Sequence, residues 1–208
     1  SGAYERGVPM PGWTLPGVMT TGAAQTLLRA NQVSPGSRVL VSGNGPLNLQ
    51  VAAEMAKSGV KVVGLAEVAD IRWWSGLRSG ASLMFTAPSL ALRGLWYRAL
   101  LAMARVPVMA RSSVIAVEGR DHAERAIVAR LDKKGRVILG TERTFDVDVI
   151  CVGFGFMPSN EIARSLGCSH QYDVTRGYLV PKLTESGRTT VEGVWVVGDS
   201  AGVGGAQV

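Results

Sequence analysis

VLVSGNGPLNLQVAAEMAKSGVKVVGLAE, residues 39–67, reads as a strand, a glycine turn, a helix and a second strand in unbroken succession. The first strand is assigned to 38–42 and runs straight into Gly43. The helix is assigned to 46–57, where Leu47, Val51 and Met55 share one face while Gln50, Glu54 and Lys57 lie on another. Gly59 closes the helix and the second strand follows at 61–66. A parallel pair joined by a crossover helix is what this order makes. Gly43 allows the tight strand-to-helix turn. With Asn44 between them, Gly45 lets the backbone approach a pyrophosphate at the positive end of the helix, and Pro46 occupies the first helical position. Glu67, 22 residues beyond Gly45, is placed to accept hydrogen bonds from ribose hydroxyls. Its charge repels a 2′-phosphate, so NAD(H), ATP or ADP is expected in preference to NADP(H); Arg72, five residues on, could oppose that reading, but a solvated arginine is the preferred account of it. Asn48 stands where the pattern has a third glycine, predicting looser packing of helix on strand. A degenerate site that binds nothing is the alternative.

Upstream, residues 1–17 are rich in Gly and Pro and read as a connector. A helix is expected over 19–32, capped by Thr20 or Thr21, with Ala23, Leu27 and Ala30 on its apolar face. Downstream, residues 71–117 carry six arginines and no acidic residue, with Trp73, Trp74, Trp96 and Tyr97 among them. A helix is expected there over 89–105. Three readings of this segment stay open: in descending order, the core and surface of an extra helical subdomain, a docking surface for a partner subunit, and an amphipathic helix on an anionic membrane. An antiparallel meander is expected next, with strands at 113–118, 125–131 and 136–139. Two buried strands entering glycine loops follow, DVDVICVGFGFMPSN and VEGVWVVGDSAGVGG.

The 208 residues are 47% hydrophobic and 18% charged, which excludes a disordered or fibrous chain. Two cysteines, Cys151 and Cys168, are too few for a disulfide framework or a zinc site, so no metal is expected and a reducing, cytoplasmic setting fits. Cys151 is expected in the core and Cys168 as an inert thiol. His122 and His170 lie in polar stretches and are expected to be solvated, leaving no catalytic side chain assigned. The net charge of +6 belongs to the arginine segment, and no nucleic-acid module accompanies it.

VWVVGDSAG, with Asp199 between an apolar run and a helix start, resembles the flavin-contacting segment of the pyridine nucleotide-disulfide oxidoreductase superfamily. In that superfamily the Gly-Asp pair, matched here by Gly198 and Asp199, contacts FAD. SGA, with Gly2 and Ala3, is similar to another stretch that passes the flavin. ICVGFGFMPSN, with Gly153, is similar to the loop that returns the chain to the flavin domain. PGWTLPGVMT at 11–20 together with SGNGPLNLQVA narrows the likeness to flavoprotein subunits of heteromeric amine or amino-acid dehydrogenases, the opine dehydrogenase, hydrogen cyanide synthase and sarcosine oxidase α-type group. The resemblance implies an α/β two-dinucleotide-binding-domain flavoprotein fold. A Rossmann-like NAD(P)-type domain with a β-meander would lie between pieces of an incomplete FAD domain: connector and helix at 1–34, nucleotide domain at 35–148, return to the FAD domain at 149–208. The family's first GxGxxG unit has no counterpart before Ser1, so a fragment is expected. The implied cofactors are FAD and, at the second site, NAD or ATP/ADP. The implied partner is a second dehydrogenase subunit, with oligomerisation open and membrane contact the least favoured. The CxxC of thioredoxin-reductase-type members is absent from 36–148, which argues against dithiol exchange there. An NADH-dependent flavin reductase feeding a ferredoxin and a non-catalytic nucleotide-binding scaffold are the rival functions.

Overall fold

Strand β3 (Arg38–Gly43) carries Val39 and Val41 toward one face of a sheet and Leu40 and Ser42 toward the other, and all four are fully buried. A strand covered on both faces reads as a continuous apolar run, and the parallel sheets of α/β proteins are built of such strands. The computed structural model describes residues 2–70 and 88–204. It places β3 in a five-stranded, wholly parallel sheet of order β2-β9-β3-β4-β5, with β2 at Val18–Thr20, β4 at Lys61–Glu67, β5 at Val108–Ala110 and β9 at Val149–Gly153.

On the Val39/Val41 face pack three helices, α1 (Thr21–Arg29), α2 (Pro46–Lys57) and α3 (Pro88–Met103), which bury Ala24, Val51, Met55 and Leu101. On the Leu40 face packs an antiparallel meander of β6 (Ser112–Glu118), β7 (Arg125–Arg130) and β8 (Arg143–Asp146), contributing Val114, Val117, Ala126 and Val128. The Ser42 hydroxyl accepts the Val114 N–H at 2.9 Å, fixing the meander to the sheet by a bond inside the apolar layer. Fully burying a side chain such as Leu40 stabilises the fold by about 1.5–3 kcal/mol.

The remaining elements are β1 (Ala3–Glu5), β10 (Phe156–Pro158), α4 (Glu161–Ser165), β11 (His170–Asp173), β12 (Tyr178–Pro181) and a short 3₁₀ helix at Gly198–Ala201. β1 pairs antiparallel with β10, and β11 with β12. These elements form a second compact unit, Ser1–Arg6 with Gly155–Val208, while Gly7–Phe154 forms the sheet unit. The units thus divide elsewhere than at 34/35 and 148/149. β2 and β9 are strands of the parallel sheet and α1 packs on its face, and the Asp148 carboxylate, just before β9, accepts the backbone N–H groups of Ser37 and Arg38 at 2.8 Å each at the entrance to β3.

Several local expectations are corrected. The helix expected from 19 begins at Thr21, because Met19 is drawn into β2 beside β9. Thr20 caps it, accepting the Ala23 N–H at 3.2 Å. The inward face is Thr21, Ala24 and Leu28, whereas Ala23 and Ala30 are exposed. Small residues line that face where α1 meets α2. Residues 136–139 form no strand beyond one bridge, Leu131 to Val137, and Leu139 is 84% exposed. The third meander strand is β8, whose Phe145 packs on the core and lies under the Arg143 guanidinium at 5.5 Å. The VWVV run is likewise no strand: it makes a single bridge, Trp195 to Arg188. Among the described residues, no helix is long and apolar enough to cross a membrane.

Candidate nucleotide and flavin sites

The β3–α2 turn is built by sterics before chemistry. Gly43 (φ +153°) lies against the end of β9 so closely that a Cβ would strike the Gly153 carbonyl, so only glycine fits. Gly45 (φ +109°) differs, because a Cβ there would meet nothing within 4 Å. Its surroundings are open, as a backbone needs if a ligand is to come up against it. Gly45 is also the N-cap of α2 and offers no side-chain cap, and Pro46 has no N–H to satisfy, so the positive helix end faces that space. Asn44, between them, donates its backbone N–H to Gly153 at 2.8 Å.

Asn48 overturns the expectation of loose packing. Its side chain is buried, with Nδ2 donating to the Gly153 carbonyl at 2.8 Å and Oδ1 accepting from the Thr21 hydroxyl at 2.8 Å. A Cβ on Gly153 would collide with this amide. The amide fills the space a third glycine would have left for direct backbone approach and exchanges that contact for two buried hydrogen bonds. Three chain segments, the α1 start, the α2 start and the end of β9, meet on one side chain. The visible signal was a polar residue at an inward helical position.

Glu67 ends β4 and is buried, 7% exposed. Burial pushes its carboxyl above the usual carboxylate range, against the pull of the Ala69 and Gly45 backbone N–H groups, which both donate to it; the Ala69 bond is 3.2 Å. The carboxylate thus reaches the glycine turn as expected, but it is engaged with the turn's own N–H. Ribose hydroxyls would share or replace that bond. Beside Glu67 opens a cleft of about 280 Å³ lined by Val68, Asp70, Arg111, Asp132, Lys133 and Gly135, in which Arg111 is ion-paired with Asp70. Arg111, one of the six arginines of the basic segment, and Lys133, which the sequence did not single out, bring cations to this end of the sheet. Arg72, the candidate counterweight to Glu67, lies outside the described residues, as do Trp73, Trp74 and Ser1.

In the second unit, Gly2, Ala3 and the GDSA turn are brought together. The Ser200 hydroxyl accepts the Gly2 N–H at 2.8 Å, and the Gly2 carbonyl accepts the Ser159 N–H at 2.9 Å just after β10. Gly198 (φ +68°) has open space where a Cβ would be, and half-buried Asp199 accepts the Gly204 N–H at 3.4 Å. The arrangement leaves a carboxylate beside exposed glycine backbone, which suits a hydroxyl-bearing ligand that comes close to the main chain. A cleft of about 330 Å³ adjoins it, lined by Asn160, Ile162, Ala163, Trp195, Val197 and Ser200.

Both cysteines are buried and outside any disulfide, Cys168 with its thiol 3.4 Å from the Thr189 hydroxyl. His122 is exposed as expected. His170 is not solvated: it lies on β11, its Nδ1 is 2.7 Å from the Cys168 carbonyl, and its Nε2 is buried without a partner. Among the described residues, no three His, Cys, Asp or Glu side chains cluster as metal ligands would.

The model of the family described as pyridine nucleotide-disulphide oxidoreductase matches residues 1–208. The chain is 31% identical over its whole length to HcnB, a component of the hydrogen cyanide synthase of Pseudomonas aeruginosa, covering 44% of that protein. It is 32% identical over its whole length to an opine oxidase subunit of Agrobacterium tumefaciens, covering 39% of it. An FAD-dependent pyridine nucleotide-disulphide oxidoreductase from Desulfovibrio vulgaris superposes with a TM-score of 0.64 at 24% identity, over 96% of this chain and 44% of that one. The chain therefore spans less than half the length of these proteins.

Proposed function

The chain belongs to the pyridine nucleotide-disulphide oxidoreductase family, and from that premise we propose that it is part of the electron-transferring FAD subunit of a heteromeric enzyme that oxidises an amine, amino acid or opine. The observation that carries this reading is end-to-end similarity to two proteins that are themselves named as subunits, one of a hydrogen cyanide synthase and one of an opine oxidase. The absence of any cysteine from 36–148 supports it against a dithiol reductase.

In this proposal Gly43, Asn44, Gly45 and Pro46 cradle the phosphates of a second nucleotide, Glu67 accepts from its ribose, and Gly153 holds the turn. Gly2, Ala3, Gly198 and Asp199 face FAD, with Asp199 holding a ribityl hydroxyl. FAD, when bound, supplies the two-electron chemistry. The chain's own residues bind and orient: the open backbone at Gly45 and Gly198 permits close approach, and the buried Glu67 carboxylate disfavours a 2′-phosphate. NAD or ATP/ADP is therefore the ligand of the second site, and the substrate is oxidised with a second subunit.

Calorimetry of NADH, NADPH and ATP against this chain, with Glu67→Ala as control, tests the nucleotide assignment. Binding of NADH or ATP that weakens at least tenfold in the variant is expected, since a charged hydrogen bond is worth about 1.5–3 kcal/mol. No heat from folded chain would favour a nucleotide-free scaffold. Flavin reduction by NADH in the whole protein would favour the flavin-reductase reading.

A further inference from the structure

The helix α3 is apolar on the side that faces away from the core as well as on the side that faces it. Tyr97, Leu100 and Leu101 pack inward against the helical layer. Leu92, Leu95, Trp96 and Met103 recur at helical spacing on the other side and are 62%, 45%, 57% and 69% exposed. Helix α2 shows the ordinary pattern instead, with Gln50, Glu54 and Lys57 away from its buried stripe. A contiguous exposed patch of this kind marks an interaction site.

We propose that this face of α3 rests on an anionic membrane surface. Two observations select a bilayer over a protein. The stripe offers one hydrogen-bonding group, the Trp96 indole N–H, whereas a protein interface needs about one hydrogen bond per 100–200 Å² to fix its register. The charge carried by this segment itself has a single sign: residues 88–117 contain four arginines and no acidic residue. Arg111 is paired with Asp70, but Arg93 and Arg105 are exposed and have no ion-pair partner among the described residues. Leucine, methionine and tryptophan entering the headgroup boundary, with arginines flanking them, are what an interfacial helix presents to anionic lipid. The helix has 16 residues and would lie on the surface rather than span it.

The test is co-sedimentation of the chain with vesicles of phosphatidylcholine alone and of phosphatidylcholine containing about one-third phosphatidylglycerol, at low and high salt. Binding is expected to the anionic vesicles and to fall with salt. Leu92→Ser and Trp96→Ser should each weaken it about tenfold, and Arg93→Gln about fivefold, with thermal unfolding unchanged because all three side chains are exposed. The proposal fails if folded chain stays in the supernatant with both vesicle types, or if the variants bind as well as the parent. It also fails if the variants instead lower the sedimentation coefficient of vesicle-free chain, which would make the face a contact between copies.

Discussion

Replacing Asn48 by alanine removes two buried hydrogen bonds at once, to the Gly153 carbonyl and from the Thr21 hydroxyl, both 2.8 Å. The two losses are unequal. The Gly153 carbonyl keeps the Asn44 N–H at 2.8 Å, so that loss costs about 1 kcal/mol, the net value of an ordinary hydrogen bond. The Thr21 hydroxyl is fully buried and would have no acceptor, which costs about 1–3 kcal/mol in desolvation. A total of about 2–4 kcal/mol follows, a shift of roughly 5–15 °C in the melting temperature of a domain this size. Urea unfolding followed by circular dichroism measures it. Thr21→Val in the Asn48→Ala background should recover about 1 kcal/mol or more, because both partners of the orphaned bond are then apolar. A loss below about 1 kcal/mol for the single variant, or strict additivity in the double, would refute the reasoning.

Glu67→Gln tests the buried carboxyl. Its raised pKa means that the folded state holds the proton more tightly than the unfolded chain, so its contribution is present below the ordinary carboxylate value and is lost as pH rises through the raised one. The variant should therefore gain on the parent in urea midpoint between about pH 4 and about pH 7; an equal gap at both would contradict this. Leu40→Ala, on the fully buried meander side, should cost about 2–5 kcal/mol, whereas Leu139→Ala should change stability by less than about 0.5 kcal/mol, both read from denaturant midpoints. Ser200→Ala removes the acceptor of the Gly2 N–H, and hydrogen exchange at that amide should accelerate about fivefold.

The glycine turn was legible because its elements are local: the strand, the two glycines, the helix and Glu67 fall within thirty residues, and each carries its own periodicity or steric demand. What escaped was made by partners distant in sequence. β1 and β10 have three residues each, too few for any alternation, and exist because Ala3 meets Pro158. The third meander strand was misplaced because Val137, Ile138 and Leu139 look apolar yet have no face to cover. Asn48 was read as a missing glycine because the pattern describes backbone approach, and the amide achieves the same junction by hydrogen bonds with residues 27 and 105 positions away. His170 was read from polar neighbours, although its surroundings are set by strand pairing with β12.

The register of the parallel sheet pairs Val39 with Val149, and β9 sits between β2 and β3. The strand that joins the first two pieces of the sheet is therefore the last of them to be made. During synthesis, β2 has no neighbour to pair with, and β3 has only β4, until residues 149–153 leave the ribosome. The inner row of the sheet closes only then, over a loop of more than one hundred residues. Such a topology folds slowly for its size. A nascent chain that stops before Val149 would expose the flank of β3 as an open edge, so premature termination there should yield aggregation rather than a smaller working domain.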